Sequence, residues 1–369
     1  MKYRDNLKCH FTPLKGWIND PNGLVYFKGK YHIFYQHCPT REERGGTPHW
    51  GHATTTDFIN WEHLPIALYP DKEYDNGACA SGTAIVKDDT LYIFYSGFSI
   101  HKDADRCVQV VNIAISHDGI NFEKYERNPI ISSYPPEGCP DFRDPSIMEK
   151  DGKYYLALAS GNPEAKSARI LLYESTDLFD WKYSGIMHEW ENRDLAECPS
   201  FLKYGDKFLL AASVFHKFPG ENHYFSLMYG DFDGKKFKAE ICDSVDMGPD
   251  QFAGQAFVDH KGRAILISWA SGWHWSGVMG QDIGCLTVPK EIIVKNGRIY
   301  CYPVEEVRHL LKDSDPAVEY TDDGFIIKRN LRECVVHKGE VKELKIIRDD
   351  YLIEVFVNGG EYVYTAILF

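Results

Sequence analysis

One pattern recurs five times in this 369-residue chain: a polar residue, a short apolar stretch, a charged or Gly-containing turn, then a strongly β-prone run. The copies are "NDPNGLVYFKGKYHIFYQ" (19–36), "ASGTAIVKDDTLYIFYSG" (80–97), "FRDPSIMEKDGKYYLALAS" (142–160), "ECPSFLKYGDKFLLAAS" (197–213) and "GQAFVDHKGRAILISWASG" (254–272). The turns "FKGK", "KDDT", "EKDGK", "KYGDK" and "DHKGR" each separate two β-prone runs, which is how a β-hairpin is written in sequence.

A second motif follows several hairpins: "TTDFINWEHLP" (55–65), "SHDGINFEKYERNP" (116–129), "STDLFDWKYSG" (175–185) and, more loosely, "GDFDGKKFKAE" (230–240). A Ser/Thr-Asp or Asp-Gly turn leading into an aromatic strand adds an edge strand to each sheet. Repeats of about four strands, with almost no helical periodicity between them, predict an all-β chain folded as a five-bladed β-propeller over residues 1–307.

After "PVEEVRHLLK" the pattern changes to short β-prone runs with an Asn-Gly turn at Asn358-Gly359. Residues 308–369 are therefore expected to form a short C-terminal β-sheet module, a reduced β-sandwich packed on the propeller or completed by a second copy in a homo-oligomer, since exposed sheet edges invite pairing.

A formal charge of -13, with no Lys/Arg-rich stripe, excludes nucleic acid and anionic membrane surfaces as expected partners. No stretch approaches the roughly 18 apolar residues of a membrane span. The ten cysteines show no CxxC and no zinc-ligand spacing, so reduced, mostly buried thiols and a cytoplasmic location are expected. Neither a metal nor a cofactor is called for, because no Asp/Asn/Gly-rich ligand loop is present.

The heads of the five copies are Asp20, Ser81, Asp144, Glu197 and Gln255, and the expectation is that all five share one repeat phase and face one axial funnel. An isolated Asp before a turn is ordinarily an Asx cap. Three acids at equivalent positions point instead to paired-carboxyl chemistry such as glycoside hydrolysis, which needs one carboxyl as nucleophile or base and one as proton donor. Arg143, beside Asp144, is placed to keep that acid ionised, whereas the apolar surroundings of Glu197 and Cys198 favour a protonated donor.

The segments "WINDPNG", "YHIFYQ", "HWGHATTTDFINWEHLPIAL", "ASGTAI", "FRDPS", "ECPS" and "VPKEIIVKNGRIYCYPVEEV" occur in the order seen in glycoside hydrolase family 32, which the chain resembles through residue 307. The resemblance implies a retaining hydrolase of terminal β-D-fructofuranosides acting on a small carbohydrate such as sucrose, sucrose phosphate or fructo-oligosaccharides. It implies Asp20 as nucleophile, Asp144 as transition-state stabiliser and Glu197 as general acid/base. Asn19, Gln36, Ser81 and Arg143 match furanose-binding positions.

The chain departs from that family's pattern at Gly45, where a pocket Trp is usual, and at Ala80, which replaces an aromatic. Trp50, Trp273 or Trp275 is expected to supply the missing wall, and Gln255 to join the substrate contacts as the fifth head residue. Arg41 and Arg44 carry the alternative of a site for an anionic substituent. The histidines at 49, 52 and 274 read as structural. A transfructosylase, a hydrolase of another furanoside and, least favoured, a non-catalytic sugar-binding protein remain as alternative readings.

Overall fold

The computed structural model describes residues 3–41, 46–101, 106–162, 164, 166–216, 223–270, 275, 279 and 282–369. Arg44, Gly45, Trp273 and His274 lie outside them, as does the side chain of Cys107.

The hairpin turns form as the sequence dictates. Lys28-Gly29, Asp88-Asp89 and Asp151-Gly152 have positive φ at both positions and connect strands in register at Phe27–Lys30, Lys87–Thr90 and Lys150–Lys153. This backbone matches the right-handed twist of the paired strands, and Gly, Asp and Asn tolerate it best. Tyr204 and Lys207 pair across another two-residue turn, whose first residue, Gly205, has positive φ.

Third and fourth strands are joined by a repeated side-chain device. Asp57 accepts from the amides of Ile59 and Asn60, Asp118 from those of Ile120 and Asn121, Asp177 from those of Phe179 and Asp180, and Asp233 from those of Lys235 and Lys236, all at 2.7–2.9 Å. Each carboxylate satisfies two backbone donors that the strand has left unpaired, and so fixes the corner.

The result is five successive antiparallel meanders of four strands, over residues 17–68, 78–124, 143–191, 195–243 and 251–303, with a short extra strand, Cys285–Leu286, on the fifth. The third and fourth are bridged by the pair Gly161–Leu195. Among the described residues, helix is confined to short 3-10 segments such as Tyr3–Asn6 and Glu305–Leu310, and none is long and apolar enough to cross a membrane.

The opening strand of each meander contacts the opening strand of the next, and Gln251–Val258 returns to Trp17–Phe27. Side chains tie these strands at one level. Thr83 Oγ1 donates to the Pro145 carbonyl (2.9 Å) and accepts from the Ile147 amide (3.0 Å). Ser146 accepts from the Phe201 amide and Ser200 from the Ala256 amide, both at 2.9 Å. Gln255 donates to the Gly82 carbonyl (2.9 Å) and accepts from the Leu24 amide (3.4 Å). Strands splayed around a centre cannot pair their backbones with both neighbours, so hydroxyls and one amide satisfy the orphaned groups.

Between meanders the sheets pack through large apolar side chains. On the fourth meander, buried Phe201, Phe208, Phe232 and Phe237 form stacked and edge-to-face pairs with centroids 4.9–6.4 Å apart, and Tyr155 of the third meander packs edge-on against Phe232 at 5.1 Å.

Residues beyond 310 form two three-stranded sheets, Val318–Thr321, Gly324–Ile327 and Val335–Lys338, then Leu344–Asp349, Leu352–Val357 and Tyr362–Ile367. They share one apolar cluster that includes Phe325, Ile327, Ile346, Ile353, Val355 and Tyr364. Polar groups fasten the second sheet to the rest. His10 is buried between Asp349 (2.9 Å) and Glu354 (2.9 Å), and Lys290 pairs with Glu354 at 2.5 Å.

Candidate active site

Every opening strand carries a β-bulge. In register, residues 19–20, 80–81, 144–145, 198–199 and 253–254 each place two residues opposite one on the partner strand. The sequence expectation that the acids share one phase is corrected here. Glu197 precedes its bulge, Asp144 is the first bulged residue, and Asp20 is the second. A regular strand sends neighbours to opposite faces. The bulge re-aims them, and three different phases deliver their carboxyls to the same place. Asp144 and Cys198 adopt positive φ (59° and 49°), an uncommon conformation for residues with a Cβ.

The three acids line one pocket of about 320 Å³, together with Asn19, Gln36, Pro48, Ala78, Ala80, Phe98, Gln109, Asp141 and Arg143. Asp20 Oδ2 accepts from Ser81 Oγ (2.6 Å), Gln36 Nε2 (3.1 Å) and the Cys198 thiol (3.4 Å). Gln36 Nε2 also donates to Ser81 Oγ at 2.6 Å, so the pair is oriented before any ligand arrives. Asp144 accepts from the Cys198 amide (2.8 Å) and Ser96 Oγ accepts from the Asp144 amide (2.7 Å). Arg143 donates to Glu197 Oε1 through Nε (3.1 Å) and Nη2 (2.7 Å), and through Nη1 to Asp141 (2.6 Å).

Burial pushes the Asp20 carboxyl up to about 7, the Asp144 and Glu197 charges add to this, and the Ser81 and Cys198 hydrogen bonds oppose it. Asp144 and Glu197 are raised as well, by burial first, with Arg143 opposing in both cases. Three carboxyls around one guanidinium cannot all ionise cheaply, so their protons are exchanged as a set.

Sequence expectation and geometry diverge for some of the other residues. Asn19, Gln36 and Arg143 line the pocket, and Ser81 lies beneath it as a donor to Asp20. Gln255 instead lines a larger cavity of about 620 Å³, formed by the other ends of the same strands. Trp50 is fully buried, its indole donating to the Ala80 carbonyl at 2.8 Å beneath the pocket residue. Trp275 is likewise buried, bonded to Asp250 and flanked by Arg329 and Arg332. Phe98 is the aromatic among the described lining residues.

Phe98, Gln109 and Asp141 escaped the sequence reading. Asp141 carried a charge signal only, since it stands two residues before Arg143 in the segment leading into the strand Arg143–Lys150. Phe98 and Gln109 come from the second meander and carried none.

Cys9, His10 and Asp349 place ligand atoms within 4.8 Å of one another, the one group of metal-ligating type found among the described residues. Asp349 already accepts from the Lys8, Cys9 and His10 amides as well as the imidazole, so the group is saturated by hydrogen bonds. It shares no residue with the acid pocket.

A small pocket on an all-β frame, lined by the buried Asp20 and Asp144 and by Glu197 paired with Arg143, is the kind of site in which glycoside hydrolases work. The sequence profile described as "Glycosyl hydrolases family 32 N-terminal domain" matches residues 10–303, and the chain belongs to that family. It is 34% identical to a raffinose invertase of Escherichia coli over 321 residues, 83% of this chain and 66% of that protein. It is 33% identical to a sucrose-6-phosphate hydrolase of Escherichia coli over 426 aligned positions, 97% of this chain and 88% of the relative. Thus the chain spans about two thirds of the length of the first and most of the second. A Bombyx mori family 32 β-fructofuranosidase, solved as a point mutant in complex with sucrose, superposes with a TM-score of 0.85 at 27% identity, covering 100% of this chain and 90% of that one.

Proposed function

We propose that the protein hydrolyses terminal β-D-fructofuranosides with retention of configuration. Asp20 is the nucleophile, Glu197 the general acid/base, and Asp144 the residue that grips ring hydroxyls as charge develops. The observation that carries this reading is the convergence of Asp20, Asp144 and Glu197 on one small pocket, with Asp20 oriented by the neutral donors Ser81 and Gln36.

In the first step an Asp20 oxygen bonds to the anomeric carbon, the glycosidic C–O bond breaks, and the leaving oxygen takes the Glu197 proton. In the second, the Glu197 carboxylate takes a proton from water, whose oxygen displaces Asp20 and releases fructose. Buried Asn19 has a side-chain oxygen with no partner among the described residues, as suits an acceptor for a sugar hydroxyl.

In this reading the five meanders close as a five-bladed β-propeller over residues 1–307, supported by the contact of the last opening strand with the first. Residues 308–369 form a reduced β-sandwich, supported by the apolar cluster shared between their two sheets. A pocket of about 320 Å³ suits removal of one terminal sugar. The nine described cysteines are free, in keeping with a reducing compartment such as the cytoplasm.

A panel of sucrose, sucrose phosphate, inulin, levan and pentofuranosides, scored for released monosaccharide, tests the assignment. Release of fructose that disappears in Asp20→Asn is expected. Release from none of them would overturn it.

A further inference from the structure

Arg143 presents a difficulty for the proposed acid. Two of its N–H groups point at Glu197 Oε1, and a cation there favours the carboxylate, whereas the first chemical step needs Glu197 to carry a proton. The other edge of the guanidinium is occupied. Nη1 donates to Asp141 Oδ1 at 2.6 Å and to Gln109 Oε1 at 3.3 Å, and Gln109 Oε1 also accepts from the Phe142 amide at 3.1 Å.

We propose that Asp141 is a positioning residue which, by holding the outer edge of the Arg143 guanidinium, keeps that cation shared between two carboxylates instead of committed to Glu197. The proposal rests on the roles assigned above to Asp20 and Glu197. Asp141 is placed for this and not for contact with the reacting atoms: its side chain is 45% exposed at the pocket lip, against 13% for Arg143 and 14% for Glu197. Gln109 Oε1 accepts from the same Nη1 edge and from the Phe142 amide, so the outer edge of Arg143 is held at two points.

The charged and titratable groups facing Glu197 among the described residues are Arg143 and Asp144 from the third meander, Asp141 just ahead of that meander, Asp20 from the first, and Cys198 next to Glu197 in the chain. Of these, Arg143 alone favours the ionised form. Asp141 opposes it twice, by direct repulsion and by drawing on the same cation.

Asp141→Asn preserves the size and one acceptor oxygen for Nη1 but removes the charge. The alkaline limb of the kcat/KM profile on the best natural substrate is expected to move to lower pH by about half a unit, reduced from the full effect of a neighbouring charge because Asp141 is partly exposed. A β-fructosyl fluoride, whose leaving group needs no proton, should lose less than about twofold in kcat over the same range. Asp141→Glu should restore the wild-type limb.

An unmoved alkaline limb, or equal losses on both substrates at every pH, would overturn the proposal and leave Asp141 a structural prop. Absence of wild-type activity on every fructofuranoside, fluoride included, would instead strike the functional reading on which it rests.

Discussion

Ser81 Oγ donates to Asp20 Oδ2 at 2.6 Å, from the second meander to the first, across 61 residues of sequence. With Gln36 it orients the carboxylate proposed as the nucleophile. Hydrogen bonds to a charged group contribute about 1.5–3 kcal/mol. Ser81→Ala is therefore expected to lower kcat/KM about 10- to 100-fold while leaving the circular dichroism spectrum unchanged. An effect below about twofold would remove Ser81 from the site.

The Asp20 carboxyl, pushed up to about 7, sets the acid side of the pH profile. The proposed nucleophile must be ionised, so kcat/KM should fall as pH drops through about 7, close to one decade per pH unit below it. A profile flat down to about pH 5 would show Asp20 ionised throughout.

The same displacement has a cost in stability. Asp20 binds its proton more tightly folded than unfolded, where its carboxyl sits near 3.8. Its contribution is thus least unfavourable below that unfolded value, and stability declines as pH rises from there through about 7. Asp20→Asn removes the penalty. Thermal unfolding at about pH 8 should show the inactive variant more stable than wild type by a few kcal/mol at most, since raising a pKa by one costs about 1.4 kcal/mol, with the gap closing toward about pH 4.

His10 gives the opposite sign. Burial works against its charge, but hydrogen bonds to Asp349, Cys9 and Glu354 outweigh burial and hold the imidazolium well above its usual range. The stabilisation is full below the unfolded value of 6.5 and is lost as pH rises through the raised folded one. His10→Ala leaves Asp349 and Glu354 short of a partner and should cost about 3–5 kcal/mol. Hydrogen exchange should rise first in residues 8–10 and 349–354. Unchanged exchange there would show that the junction does not depend on the ion pairs.

The repeat was legible because each hairpin announces itself locally, through Lys28-Gly29, Asp88-Asp89 or Asp151-Gly152 set between alternating strands. The aspartate corners at Asp57, Asp118 and Asp177 were legible for the same reason: their bonds reach only two or three residues along the chain. Trp50 looked like a pocket wall from its neighbours in sequence, yet it lies under Ala80, a residue 30 positions away. Asp141 lies ahead of the strand that begins at Arg143, and nothing in its own neighbourhood of sequence separates it from a loop charge beside "FRDPS".

By itself the sequence determined the number of meanders, their turns and three acids that the structure brings to one pocket, because those follow from backbone propensities and side-chain chemistry over short distances. How the acids meet was decided only in three dimensions. Pro21, Gly82, Pro145, Pro199 and Gly254 mark where each strand is interrupted but not which neighbour is re-aimed, so the offsets that carry Glu197, Asp144 and Asp20 from three different phases into one pocket appear only when the strands are paired. The same holds for their proton affinities, which depend on burial and on an arginine shared between neighbouring strands, quantities that no stretch of sequence contains.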